Sequence, residues 1–164
     1  MSCALVMVLV SAHALAAGDS QAGQAKAATC VACHGVDGNS AVPTFPKLAG
    51  LGHKYLLKQM QDIRDGRRPV ALMAGQVDNM SDQDLADIAA FYNEQSRTGG
   101  MADPEKVALG RKVYLAGIAE RQVPACSGCH SPTGNGNGPA GYPALGGQHA
   151  EYTSAQLKRF RKGY

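Results

Sequence analysis

The sequence predicts an all-α fold made of two small helical domains in tandem. The first observation is a set of short segments whose apolar residues recur at helical spacing. The second is an internal repeat: a shift of 96 residues overlays residues 30–43 on residues 126–139, and a shift of 97 overlays residues 46–66 on residues 143–163. The first copy continues through a further apolar segment, whereas the second copy stops at Tyr164. We therefore expect the second domain to be incomplete at its C-terminus, as in a truncated chain.

The first residues of the chain have the pattern of a secretory signal. An apolar run ends in Ala14, Leu15 and Ala16, which is a typical cleavage sequence, and the run is too short to span a bilayer. No Lys or Arg precedes Lys26, so the usual basic start is missing. We expect residues 1–16 to be a signal peptide.

The remaining chain divides into two domains at a short linker. Residues 98–106 contain two adjacent glycines and an Asp-Pro pair, a composition typical of a connection. We expect residues 17–97 to form the first domain and residues 107–164 to form the second.

The first two helices of the first domain are predicted on either side of a loop. Residues 22–30 are rich in Ala, Gln and Lys, which favour a helix. Residues 35–46 are rich in Gly, Asn, Ser and Pro, which favour a loop. Residues 55–65 carry apolar residues at helical spacing, and Gly66 ends that helix.

The last helix of the first domain has a clear start signal. Ser81 is a good N-cap, and Asp84 stands where a capping box has its acid. An apolar stripe on this helix follows: Leu85, Ile88, Ala89 and Tyr92.

Each copy of the repeat contains a C-x-x-C-H stretch. The residues are Cys30, Cys33 and His34 in the first copy and Cys126, Cys129 and His130 in the second. Two thiols at this spacing can each form a thioether with one vinyl group of a haem, and the next residue can then bind the iron through its imidazole. The sequence therefore predicts two covalently bound haem c groups. In bacteria such attachment takes place outside the cytoplasm, which agrees with an exported, periplasmic protein.

Other sites that use paired cysteines explain the pattern less well. A structural zinc site has its halves closer together and does not require His next to both. A thioredoxin-like motif needs a βαβ setting, and a pair of disulfides leaves both histidines unexplained.

The second axial ligand of the first haem is sought among the methionines. Met80 directly precedes the N-cap Ser81, so a hydrophobic contact with the helix explains it. Met73 lies in a predicted loop far enough from His34 for the chain to pass around a haem edge, and we favour it as the ligand. A contact with the porphyrin that does not involve the iron is the alternative. His53 and His149 lie one place out of register in the repeat, so we do not expect either to bind iron.

Composition and charge agree with a haem protein and indicate the class of partner. Only 5% of the residues are aromatic, so a covalently held porphyrin would supply apolar volume that each core lacks. The net charge is −1 over residues 19–97 and +4 over residues 98–164. This asymmetry is compatible with docking to an acidic partner, but a solvated basic surface is the more common explanation of such a pattern. No stretch has the pattern of a nucleic-acid-binding segment.

The chain resembles the cytochromes c4, which contain two class I cytochrome c domains. The resemblance covers nearly all of residues 18–163 and rests on these stretches: CVACHGVDGNS at 30–40, FPKLAG at 45–50, YLLKQMQD at 55–62, SDQDLADIAAFY at 81–92, CSGCH at 126–130 and LGGQHAEY at 145–152. It implies that Met73 is the first Met ligand. It also implies that the carbonyls of Pro46 and Pro143 orient the haem-binding histidines. The second Met ligand of the family has no equivalent in this sequence.

These observations lead to a functional prediction. We expect a periplasmic carrier of single electrons between respiratory-chain donors and terminal oxidases, which is not an enzyme and uses no small-molecule substrate. Two alternatives are the cytochrome subunit of a flavocytochrome c sulfide dehydrogenase and a dihaem peroxidase. A haem-based gas sensor is a third. The peroxidase and the sensor need an open iron, which Met73 would close in the first domain. The basic second half leaves peripheral membrane contact open.

Overall fold

The computed structural model describes residues 18–163, and the regular elements in this range are helices joined by loops. Seven α-helices occur in this range: α1 Ser20–Lys26, α2 Val31–His34, α3 His53–Arg64, α4 Asp82–Glu94, α5 Pro104–Ala116, α6 Ser127–His130 and α7 Ala150–Arg161. Short 3-10 turns lie at Ala27–Cys30, Ala71–Met73 and Ala119–Arg121. Within residues 18–163 there is no strand, and none of the helices is long and apolar enough to cross a membrane. The predicted signal peptide lies outside the described residues.

The crossing of α1 and α4 forms one side of the first domain. Both helices approach so closely that a Cβ on Gly23 would lie 1.9 Å from the carbonyl oxygen of Asp87. Asp87 itself is buried and accepts hydrogen bonds from Asp19 N at 2.8 Å and from Lys26 Nζ at 2.5 Å. The absence of a side chain at Gly23 therefore sets the helix separation, and Asp87 fixes the register.

Helix α4 supplies most of the first core. Its N-terminus carries a complete capping box, in which Ser81 Oγ accepts from Asp84 N and the Asp84 carboxylate accepts from Ser81 N. The buried face of α4 packs on α3 and on the turn before α2, in a cluster made of Ala27, Leu51, Leu56, Ile88, Ala89, Phe91 and Tyr92. The predicted start of α4 and its apolar stripe thus match the structure.

Two helix boundaries differ from the sequence-based expectation. The helix expected over residues 22–30 is α-helical only to Lys26 and then tightens into a 3-10 turn. The run of Thr29, Cys30 and Val31 has low helix propensity, and 3-10 turns are common at helix ends. In addition, α3 begins at His53, two residues before the expected start.

The second domain repeats the first up to α7. Helix α5 begins at Pro104, inside the stretch predicted as linker, because Asp103 caps it through a hydrogen bond from Glu105 N and Pro suits the first helical position. Large apolar side chains on α5 and α7 are exposed, among them Leu109 and Phe160.

The two domains meet along a polar interface that joins repeat-related segments. Arg97 donates from Nε to Gly146 O at 2.6 Å and from Nη1 to the carbonyl oxygens of Ala49 and Gly50, both at 3.2 Å. On the adjacent face Arg68 donates from Nη2 to Tyr152 Oη at 3.0 Å. The two domains are thus joined through main-chain carbonyls at Arg97 and through a side-chain hydroxyl at Arg68.

Candidate haem sites

The first C-x-x-C-H stretch begins in the 3-10 turn and ends in α2, a single helical turn. Cys30 is the last residue of the 3-10 turn and is half-buried, whereas Cys33 on α2 is exposed. His34 ends α2 and is buried, and Gly35 terminates the helix with φ +80°. The short helix thus directs one thiol inward and one toward the surface, beside a buried imidazole.

The ring of His34 is oriented by a backbone carbonyl. His34 Nδ1 lies 2.9 Å from Pro46 O. A carbonyl oxygen can only accept, so Nδ1 carries the hydrogen and the lone pair is on Nε2. Burial lowers the pKa of His34, and the bond to Pro46 offsets part of that effect. The net effect is a lowered pKa, which favours the neutral imidazole with Nε2 available to a metal.

The second stretch reproduces this arrangement. His130 ends α6, and its Nδ1 lies 2.8 Å from Pro143 O. An aromatic ring precedes each proline and meets the histidine edge-on: Phe45 at 6.3 Å from His34 and Tyr142 at 5.8 Å from His130, measured between ring centroids. The hydrogen bond and the ring contact are thus duplicated, although His34 is buried and His130 is only half-buried.

The residues around Cys30 fit a covalently attached haem. None of the four cysteines of the two motifs forms a disulfide. Tyr92 is 1% exposed, yet its hydroxyl is the buried side-chain polar atom for which no partner is found across residues 18–163. Burial raises the pKa of Tyr92 and that of the neighbouring Cys30 thiol. An unpaired buried hydroxyl beside a thiol indicates space that another group fills.

The described part of the chain contains no cluster of side chains suited to bind a metal ion directly, without a haem. Between Gly18 and Gly163 no group of three or more His, Cys, Asp and Glu side chains is placed to hold a metal ion.

Met73 lies in a loop that is tightly turned on both sides. Its N–H donates to Val70 O at 2.9 Å, and its carbonyl oxygen accepts from Gln76 N at 3.0 Å. The side chain is half-buried, whereas that of the adjacent Leu72 is 67% exposed. The loop therefore presents Met73 inward and Leu72 to solvent, and its role as an iron ligand stays a prediction.

The other candidate ligands have structural partners. Met80 packs against the hydrophobic core of the first domain, next to the N-cap Ser81. The Nε2 atom of His53 lies 3.2 Å from Ala86 O, and that of His149 lies 3.0 Å from Ser40 O. These contacts explain the three residues without a ligand role.

Sequence reasoning missed the residues that join the domains, above all Gln148. Its side chain bonds both backbone atoms of Lys47, from Nε2 to Lys47 O and from Lys47 N to Oε1, each at 2.9 Å. The repeat aligns Gln148 with the apolar Leu51. A polar residue at a position that is apolar in the other copy was the available signal.

Comparison with known proteins establishes the family. A family model for cytochrome c matches residues 20–95 and 107–164. A cytochrome c4 of Pseudomonas aeruginosa is 60% identical over 148 residues, which cover 90% of this chain and 74% of that relative. The chain belongs to the cytochrome c4 family. A cytochrome c4 of Azotobacter vinelandii is 54% identical over 176 residues, covering 99% of this chain and 84% of that relative.

A solved structure confirms the fold of this cytochrome c4 family member. The reduced recombinant cytochrome c4 from Pseudomonas stutzeri has a TM-score of 0.87 at 53% identity and covers 90% of this chain and 82% of that one. The predicted all-α tandem of two cytochrome c domains is thereby confirmed. The protein carries two covalently bound haem c groups and belongs to the dihaem electron-transfer cytochromes.

Proposed function

We propose that this protein is a periplasmic carrier of single electrons between respiratory-chain donors and terminal oxidases. The observation that carries the proposal is the duplicated histidine geometry, in which His34 and His130 are each held by a proline carbonyl at 2.9 and 2.8 Å. Fixed imidazoles suit iron that changes charge without changing position, since little reorganisation then accompanies each electron.

Each haem site has separate groups for attachment and for orientation. Cys30 and Cys33 hold one haem, and Cys126 and Cys129 hold the other, through thioethers. When bound, the haem iron cycles between the ferrous and ferric states and so carries one electron. His34 and His130 would each supply Nε2 to an iron, and the carbonyls of Pro46 and Pro143 keep the Nδ1 proton in place. No residue of the chain has to donate a proton for this transfer.

The proposal assigns the closing ligand of the first haem to Met73. The tightly turned loop at Ala71–Met73 holds the thioether in the domain while its neighbours face solvent. A Met thioether and a His imidazole would together saturate the iron and raise its reduction potential, which suits a carrier and disfavours peroxide chemistry. A Met73 ligand would favour the carrier over the peroxidase and the sensor at the first site.

The proposed function is tested by measuring whether the protein carries electrons from a quinol-oxidising complex to a terminal oxidase. The haem-loaded protein is mixed with bacterial membranes that contain a quinol-oxidising complex and a terminal oxidase, and its absorption is followed after adding quinol and then oxygen. We expect reduction by quinol and reoxidation by oxygen, both blocked by inhibitors of the respective complexes. Rapid peroxide turnover without membranes would support the peroxidase instead. Co-purification with a flavoprotein would support the sulfide dehydrogenase subunit.

The location is tested separately. Fractionation of a bacterium that expresses the chain should place the haem-staining band in the periplasmic fraction, and a high-salt wash of the membranes should release any part bound there. A haem-staining band confined to the cytoplasm would contradict the proposal.

A further inference from the structure

The peptide group between Pro46 and Lys47 is hydrogen-bonded at both ends. Its carbonyl oxygen accepts from His34 Nδ1 at 2.9 Å, and its N–H donates to Gln148 Oε1, also at 2.9 Å. Gln148 Nε2 donates in turn to Lys47 O at 2.9 Å. Gln148 belongs to the second domain. A side chain of one domain therefore contacts the peptide group that orients the axial histidine of the other.

Hydrogen bonds that share a peptide group strengthen one another. When the N–H of Lys47 donates, electron density moves toward Pro46 O, which becomes a better acceptor for the His34 Nδ1 proton. The imidazole of His34 then becomes more electron-rich, and a more electron-rich ligand stabilises ferric iron relative to ferrous iron. Because Lys47 is only 6% exposed, water competes little for this contact.

The second domain makes this contact with the first domain, but the first domain makes no equivalent contact through the repeat-related residue. The repeat places Leu51 at the position of Gln148, and Leu51 is 6% exposed within the core of the first domain. The first domain thus has no glutamine to reach the peptide group between Pro143 and Ala144. Any effect of Gln148 should fall on the haem of the first domain and not on the haem of its own domain.

We propose that Gln148 is a positioning residue that lowers the reduction potential of the first haem, acting across the domain interface through Lys47 and Pro46. The inference rests on the ligation of that haem by His34, which belongs to the function proposed above. It makes the interface a part of the first redox centre rather than a passive connection.

The test is a set of substitutions in the haem-loaded protein. Gln148→Leu removes both hydrogen bonds to the main chain of Lys47, and Gln148→Glu keeps an acceptor for Lys47 N–H. Gln156→Leu is the matched control, because Gln156 Oε1 accepts from Arg68 at 3.1 Å at the same interface without touching the haem-ligand peptide. Redox titration followed by proton NMR gives the potential of each haem separately, and signals that contact the ring of His34 assign the first haem.

We expect Gln148→Leu to raise the potential of the first haem and to leave the second unchanged. Gln148→Glu should return the first potential to the original value or below it, and Gln156→Leu should change neither. An unmoved first potential in Gln148→Leu, or an equal shift in Gln156→Leu, would overturn the inference. The absorption spectrum separates this failure from a failure of ligation. A first haem without the spectrum of low-spin, histidine-bound iron would refute ligation by His34, whereas a normal spectrum with an unmoved potential refutes only the role of Gln148.

Discussion

Ala49 and Gly146, which occupy equivalent positions in the two repeats, direct their carbonyl oxygens at the same guanidinium group. Arg97 donates to Ala49 O at 3.2 Å and to Gly146 O at 2.6 Å. The two repeats therefore meet through related segments, and one residue between them bonds both. Burial lowers the pKa of Arg97, because the guanidinium group is partly removed from water.

The first prediction is that Arg97→Leu loosens the interface between the domains. The substitution leaves three carbonyl groups without their donor. A hydrogen bond to a charged group contributes about 1.5–3 kcal/mol to the free energy of unfolding. We expect faster proteolysis within residues 98–103 and a lower free energy of unfolding by about 1–3 kcal/mol. Limited proteolysis and denaturant titration measure the two effects. Arg111→Leu, at an exposed position of α5, is the control, and equal proteolysis of both variants would refute the role of Arg97.

The second prediction concerns the crossing of α1 and α4. A methyl group at Gly23 would meet the Asp87 carbonyl at 1.9 Å, which the backbone cannot accommodate without separating the helices. We expect Gly23→Ala to lower the free energy of unfolding of the first domain by about 2–3 kcal/mol, since overpacking a buried contact has costs of this size. Gly110→Ala is the control, because nothing lies within 4 Å of the added atom. Equal stability of the two variants would contradict the predicted clash.

The third prediction is a loss of stability in acid that depends on Asp87. Burial, the largest single influence, acts to raise the pKa of Asp87. The hydrogen bonds from Lys26, Asp19 N and Gln83 together outweigh it and lower the pKa. A carboxylate whose pKa is lower in the folded than in the unfolded state adds stability above the unfolded pKa of about 3.9. That stability is lost as the pH falls toward the folded pKa.

We therefore expect Asp87→Asn to be less stable than the original chain at pH 7, with a smaller difference at pH 3. Denaturant titration by circular dichroism at several pH values measures this dependence. Asp78→Asn removes an exposed carboxylate and serves as the control. A difference between Asp87→Asn and the original chain that stayed constant from pH 7 to pH 3 would contradict the assigned contribution.

The fourth prediction concerns the capping box of α4. Ser81→Ala removes the acceptor of Asp84 N, a bond of 3.1 Å. We expect a loss of about 1 kcal/mol in the free energy of unfolding, the usual effect at an N-cap. The exposed Ser96→Ala is the comparison, and thermal unfolding followed by circular dichroism is the measurement. A Ser81→Ala variant as stable as Ser96→Ala would show that the cap adds nothing.

The helices and their caps follow largely from local sequence. The helical spacing of Leu85, Ile88 and Tyr92 after the N-cap Ser81 predicts α4 from local sequence alone. The structure contains this helix with its capping box. Likewise, the position of His directly after the second Cys of each motif defines both haem sites by covalent spacing alone. Short-range chemistry of this kind is visible in a single sequence.

The interface was not predictable in the same way. Gln148 and Lys47 are 101 residues apart, and their contact depends on how two folded domains dock. Arg97 bonds only backbone carbonyls on the partner segments, which carry no residue-type signal. The contact of His149 with Ser40 O across the domains was also not predicted. The local sequence of such a histidine does not differ from that of a histidine at a helix start. The change from α-helix to 3-10 turn after Lys26 was also missed, although the low helix propensity of Thr29, Cys30 and Val31 was visible in the sequence.

Binding of carbon monoxide by the reduced, haem-loaded protein tests the central claim most directly. The claim is that His34 and Met73 together close the first iron, so that this haem transfers electrons without binding external ligands. We expect Met73→Ala to increase the haem that binds carbon monoxide by one equivalent per chain relative to the original protein, as measured from the absorption spectrum against total haem. Met80→Ala should leave the amount unchanged. If the first haem of the unmutated protein binds carbon monoxide as readily as that of Met73→Ala, the ligand assignment is wrong and an open-site enzyme or sensor takes precedence.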